Sequence, residues 1–184
     1  MTKLHLIRGQ RILDQMTLEE ATYAELERNT RNSMPATNKR QNATPEVRMQ
    51  KMELVPAKES DTLMVKGTVA GKTAVYHTSV LFDNVIYDDA DQADNITFTG
   101  SDGDDYHIEP IYLARHNCKV HCTCLDFYWR FATQNHKANS LDGEPPPPYV
   151  KRTNRPPANP ANVPGVCKHI IKTVEELQKS GVVQ

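Results

Sequence analysis

The chain of 184 residues has no long apolar run. Only 38% of its residues are hydrophobic, mean hydropathy is −0.62, and no stretch approaches the roughly 18 apolar residues of a membrane-spanning helix. An integral helical membrane protein is thereby excluded. Aromatic residues are scarce at 7%, with a single tryptophan, so the sequence predicts a thin core and much loop. Neither a glycine repeat nor a sustained heptad occurs, which excludes collagen-like and coiled-coil classes. Met1-Thr2-Lys3-Leu4-His5 is not followed by an apolar segment of signal-peptide length. The expectation is therefore synthesis in a reducing cytoplasm rather than secretion.

Net charge is also lacking: 22 basic and 23 acidic residues leave a formal −1. The balance hides an uneven distribution. Residues 1–58 carry 10 basic and 7 acidic side chains, residues 59–118 carry 3 and 11, and residues 119–184 carry 9 and 5. An acidic middle between mildly basic ends is a poor field for wrapping duplex DNA, which favours a clustered basic stripe. It suits protein–protein contacts, including contacts between copies. Nucleic acid is the less favoured partner, and neither a membrane nor a small-molecule substrate is expected.

What is present divides the chain into three. Residues 1–60 read as an N-terminal helix and extended interaction arm. Thr17 and Glu20 have capping-box spacing and open a helix running to about Arg28, while Pro35, Pro45 and Pro56 interrupt any helix beyond it. Residues 61–115 read as an antiparallel β domain. Leu63–Val69 and Thr73–Tyr87 are rich in β-branched and aromatic residues, and Tyr76, Val80 and Phe82 against Val75 and Leu81 suggest a strand buried on both faces. Ile96–Thr99 and Tyr106–Leu113 come next, joined by a hairpin signal at Asp102-Gly103. Residues 116–184 hold a last strand at Cys118–Cys124 and two helices. In the first, Leu125, Tyr128, Trp129 and Ala132 occupy one face at i, i+3, i+4 and i+7. The final helix starts near Cys167, turns Ile170, Ile171, Val174 and Leu177 inward, and stops at Gly181. Between them lies a proline-rich loop, 142–164, with eight prolines from Pro145 to Pro164. Such a tract favours polyproline II conformation. The fold class expected is α+β.

All four cysteines fall in the last third: Cys118, Cys122, Cys124 and Cys167. In Cys122-Thr123-Cys124 the two thiols share one face of a strand and can reach one ion. Cys167-Lys168-His169 offers a thiolate and an imidazole at the turn into a helix. Three thiolates and one neutral imidazole make the Cys₃His set of a closed tetrahedral zinc site, so the expected ligands are Cys122, Cys124, Cys167 and His169, holding one structural Zn²⁺. Lys168 lies within the motif to offset the resulting charge. Inert buried thiols and disulfides are the alternatives. Cys118 shares the strand face of Cys122 and Cys124 and is the residue best able to substitute as a ligand, ahead of His116 and His121.

The order C-x-C then C-x-H resembles the SWIM-type zinc finger. That resemblance implies a ββα region, with a β-hairpin carrying the first pair and a helix start the second, and a module that binds DNA or protein. Here 42 residues separate Cys124 from Cys167, a longer insert than the family implies. Closure entropy grows only logarithmically with loop length, so metal binding tolerates it. The stretch from Tyr149-Val150-Lys151-Arg152-Thr153 to Pro164-Gly165-Val166-Cys167-Lys168-His169 is also similar, more weakly, to small zinc-binding structural proteins of tailed bacteriophages. From these features the expectation is a non-enzymatic, zinc-stabilised subunit of a virion (tail, baseplate or neck), made in the host cytoplasm and docking through its arm and proline-rich loop. A SWIM-type nucleic-acid- or protein-binding regulatory module is the alternative.

Catalytic patterns are wanting. Gly67-Thr68-Val69-Ala70-Gly71-Lys72-Thr73 has three residues between its glycines rather than the four of a phosphate-binding loop, and β-like sequence comes after it. The H-x-E and P-C-x-x-C elements of zinc deaminases do not occur. Asp102-Gly103-Asp104-Asp105 lacks the twelve-residue calcium-loop pattern and reads as a solvated turn.

Overall fold

Leu54, Val65, Val80 and Val120 face one another in register across four strands, and the C-terminal helix packs against all four of those strands. The computed structural model describes residues 20–33, 46–89, 94–148, 154 and 156–184. Its main sheet has the order β1-β2-β3-β7, antiparallel throughout: β1 Arg48–Ala57, β2 Thr62–Ala70, β3 Val75–Phe82 and β7 Cys118–Cys122. A second antiparallel sheet has the order β4-β6-β5, with β4 Tyr87–Asp88, β5 Ile96–Thr99 and β6 Asp105–Ile108. The hairpin at Asp102-Gly103 is as expected, with Gly103 at φ +92°, a backbone region that costs glycine nothing. The fold class is α+β.

Period-2 alternation buries Leu63, Val65 and Val69 of β2 and Val80 and Phe82 of β3 on one face. The expectation that β3 is buried on both faces is corrected, since Val75 is exposed. The long strand expected over Thr73–Tyr87 is also divided. Asn84, at φ +58°, turns the chain out of β3 and into the second sheet, an excursion that asparagine tolerates better than most residues.

The C-terminal helix Lys168–Lys179 covers the buried face of the main sheet with Ile170, Ile171, Val174 and Leu177, as its periodicity predicts, and Gly181 sits just beyond it at φ +81°. The helix comes close at one point. A Cβ on Gly67 would lie 2.4 Å from Thr78 Oγ1 and 2.8 Å from Thr173 Oγ1. Lacking one, the strand leaves room for those two hydroxyls to bond each other at 2.8 Å in the core, which satisfies both.

The segment expected to be an arm contributes more than an arm. Helix α1, Tyr23–Ser33, buries Tyr23, Leu26 and Thr30. It starts later than the Thr17 expectation: Thr22 N–H donates to Glu25 Oε2 at 3.0 Å and Glu25 N–H donates to Thr22 Oγ1 at 3.3 Å. The capping box is thus the next T-x-x-E in the sequence, and Thr17 lies outside the described residues. Val166 N–H donates to the buried Thr30 hydroxyl at 2.9 Å, tying α1 to the residue before Cys167. Strand β1 occupies residues expected to be extended arm and forms an edge of the main sheet, where Pro56 is tolerated because an edge position needs no second ladder bond. One core cluster joins Tyr23 and Leu26 to residues of both sheets and of the C-terminal helix.

Between β7 and the last helix, the chain forms α2, Leu125–Phe127, a π-helical turn, Tyr128–Ala132, and α3, Thr133–Lys137. The buried side chains are Phe127, Phe131, Ala132 and Asn135. Leu125 is 71% and Trp129 57% exposed, so of the four residues expected to share an inward face only Ala132 is buried. The prolines 145–148 run without regular structure, and Asn159 and Asn135 fasten the chain on its return toward the last helix. Asn159 Nδ2 donates to Arg130 O at 3.0 Å, while Asn135 donates to Gly165 O and accepts from Gly165 N–H. Tyr149, Lys151, Arg152 and Arg155 lie outside the described residues.

The corrected face predicts an asymmetry that urea denaturation of the metal-loaded chain measures. Phe131→Ala should cost ~3–5 kcal/mol, whereas Trp129→Ala should cost less than ~1 kcal/mol.

Candidate metal centre

Cys122 ends β7, and Thr123 keeps the chain beside β3 through its N–H to His77 O at 3.0 Å. Cys124 is then the N-cap of α2, at φ −76° and ψ 145°, and its Sγ accepts from Phe127 N–H at 3.3 Å. Cys122 Sγ accepts in turn from Cys124 N–H at 3.5 Å. Across the sheet, Cys167 is the N-cap of the C-terminal helix, at φ −91° and ψ 167°, and His169 sits in that helix's first turn. Two helix starts therefore direct their partial positive charge at the thiols.

The four ligand atoms all lie within 4.8 Å of one another, and all four residues are buried. His169 Nδ1 is 3.8 Å from both Cys122 Sγ and Cys167 Sγ. A tetrahedral zinc ion with Zn–S near 2.3 Å and Zn–N near 2.0 Å sets its ligand atoms about 3.6–3.8 Å apart. The donor set, its spacing and its burial fit a single structural Zn²⁺. No other such group of His, Cys, Asp and Glu occurs among the described residues. These are the four residues expected from the sequence.

Electrostatics prepares the cluster for a cation. Hydrogen bonds from the Cys122 and Cys167 thiols hold the Cys124 thiol far below its ordinary range. Cys122 is raised by the bond it donates to Cys124, and Cys167 is raised by burial. Three thiolates, a neutral imidazole and Zn²⁺ total −1. The two helix N-termini and the N–H donors oppose that charge directly. Lys168, expected to do so, pairs with Glu46 at 3.4 Å.

The other candidate ligands lie elsewhere. Cys118 is in the core outside the cluster, its thiol pushed up to about 12 by burial. His121 packs edge-on against Phe127 at 5.8 Å. His116 Nδ1 accepts from Tyr112 N–H at 3.1 Å. Residues that sequence reasoning did not attach to the site are Tyr76, whose ring lies 4.2 Å from that of His169, and Phe127, through its N–H. The capping role of Cys124 was readable from its place before the helix. Tyr76 was not, because its position depends on the pairing of Thr78 with Cys122.

Fold and site together define an α+β protein built around a Cys₃His metal cluster. Comparison of the chain with protein-family models, with curated proteins and with solved structures finds no match.

Elemental mass spectrometry of chain purified under reducing conditions should find one zinc per molecule, and Cys167→Ser should lose it. Binding must remove the protons of Cys122 and Cys167, whose raised values keep them as thiols. Zinc affinity should therefore fall as pH falls, by up to about 100-fold per unit where both are protonated. A competition titration with a chromogenic chelator at several pH values measures this.

Proposed function

We propose that this chain is a non-enzymatic structural protein whose C-terminal region is closed by one zinc ion, and that it serves as a virion subunit of a tailed bacteriophage, in the tail, baseplate or neck. The observation that carries the reading is the convergence of four buried protein donors on one point. An ion so ligated keeps no position for water or substrate, whereas hydrolytic zinc sites leave one open. Its contribution is to stability: it joins β7 to the C-terminal helix across 42 intervening residues, and binding free energy becomes folding free energy.

The finer class of the centre is SWIM-like. What supports this is the C-x-C pair at the end of a strand and the C-x-H pair at a helix start. The virion assignment rests on the weaker likeness of the segment from Tyr149 to His169 to zinc-binding phage structural proteins. Docking would use residues 1–60 and the loop 142–164. Exposed Trp129 adjoins Arg130, whose Nη1 donates to Ala158 O at 3.1 Å on that loop's return.

The competing reading, a nucleic-acid-binding SWIM module, needs a basic surface. Residues 83–109 carry nine acidic side chains and no lysine or arginine, which disfavours it.

Two measurements separate the readings. Mass spectrometry of gradient-purified particles from the producing culture should find the chain at a fixed ratio to the major capsid protein, and its absence from them would refute the virion assignment. Fluorescence anisotropy of labelled duplex and single-stranded DNA should show no saturable binding at about 150 mM salt, a condition near the physiological ionic strength. Tight binding that weakens steeply with salt would favour the module instead.

A further inference from the structure

The two ring nitrogens of His169 have different surroundings. Nδ1 lies 3.8 Å from two of the three clustered sulfurs. Nε2 is buried without a hydrogen-bond partner. A neutral imidazole carries one lone pair and one N–H, so the nitrogen that binds an ion leaves the other protonated. In most metal sites that second N–H is held by a carboxylate or a carbonyl. Among the described residues neither is in place, and the ring is held by its face instead.

That face belongs to Tyr76. The two ring centroids are 4.2 Å apart, with the planes inclined at 32°. An aromatic face is electron-rich, and it suits an imidazole that becomes more positive when its lone pair goes to a cation. Tyr76 is half-buried, whereas all four ligands are buried, so one side of its ring meets His169 while the residue also reaches solvent.

The ring has a slot made for it. A Cβ on Gly71 would lie 2.9 Å from Tyr76 Cε2, too close for the ring to stay where it is. Gly71 N–H meanwhile donates to Ala74 O at 2.8 Å and closes the turn between β2 and β3. Gly71, Tyr76 and His169 thus form a stack running from the hairpin turn to the metal cluster.

We infer that His169 holds the ion through Nδ1, and that Tyr76, wedged between Gly71 and the imidazole, is the positioning residue that fixes this orientation and governs release of the ion. The inference rests on the reading of the cluster as a zinc centre and adds which atom binds and which neighbour controls it. Tyr76 touches no ion itself. It acts by denying the imidazole the swing that would draw Nδ1 away from the sulfurs.

The test uses the full chain loaded with zinc. Long-range ¹H–¹⁵N correlation spectra should show Nε2 protonated and Nδ1 metal-bound. Transfer of zinc to an excess of a chromogenic chelator should be on the order of tenfold faster in Tyr76→Ala than in the parent, and within about twofold of the parent in Tyr76→Phe, which keeps the ring. Gly71→Ala, which displaces the ring without removing it, should fall between them and covers the case in which Tyr76→Ala fails to fold. A spectrum showing Nε2 bound overturns the inference and leaves the zinc centre standing, as do release rates from Tyr76→Ala and Gly71→Ala equal to that of the parent. A parent chain that holds no stoichiometric zinc overturns the centre and the inference together.

Discussion

Four donor atoms must meet at one point although they come from opposite ends of a 42-residue insert, and much of the architecture is set by that demand. Cys122 has to finish β7 facing inward, and the C-terminal helix has to begin at Cys167 directly opposite. Thr30 and Asn135 secure the approach, since their side chains bond the backbone of Val166 and Gly165 just before that cysteine. The helix must then settle on the sheet without moving its first turn. Gly67 and the paired hydroxyls of Thr78 and Thr173 permit the close seating that this needs.

The protein draws stability from two unlike sources. Apolar burial in the main sheet is non-directional and tolerates small shifts. Metal ligation is directional and does not. A chain with 7% aromatic residues has limited means of enlarging the first source, so a metal clip adds what burial alone leaves short. The clip sits at the end of the sheet and adds a directional link between β7 and the last helix, which already pack together in the core. Its charge is managed by the backbone rather than by a neighbouring cation, which leaves Lys168 to pair with Glu46.

The readable parts of the sequence were those whose signal is short in range. C-x-C and C-x-H are each contained in three residues, and their chemistry allows few uses. The hairpin at Gly103 and the inward stripe of Ile170, Ile171, Val174 and Leu177 were legible for the same reason. Strand β1 was not. Most of its residues are half-buried, so it shows no clean alternation, and Pro56 argues against a strand unless its edge position is already known. The orientation of Leu125 and Trp129 failed on a different ground: the buried face runs through Phe127, Phe131 and Asn135, past a π turn at Tyr128–Ala132 that no local pattern signals. Tyr76 needed the β3–β7 register, which no local pattern encodes.

The π turn at Tyr128–Ala132 sets the phase of everything after it. Each helical residue turns the chain through about 100°, so one residue more or less in that segment would rotate Thr133–Lys137 by roughly that angle about its axis. Asn135 would then face away from Gly165, and the approach to Cys167 would lose an anchor that lies 30 residues away in sequence. The turn behaves as a timing element, in which residue count rather than residue identity keeps the two halves of the metal cluster aligned. Lengthening the loop beyond it would leave this alignment untouched, whereas adding one residue to the helix would not.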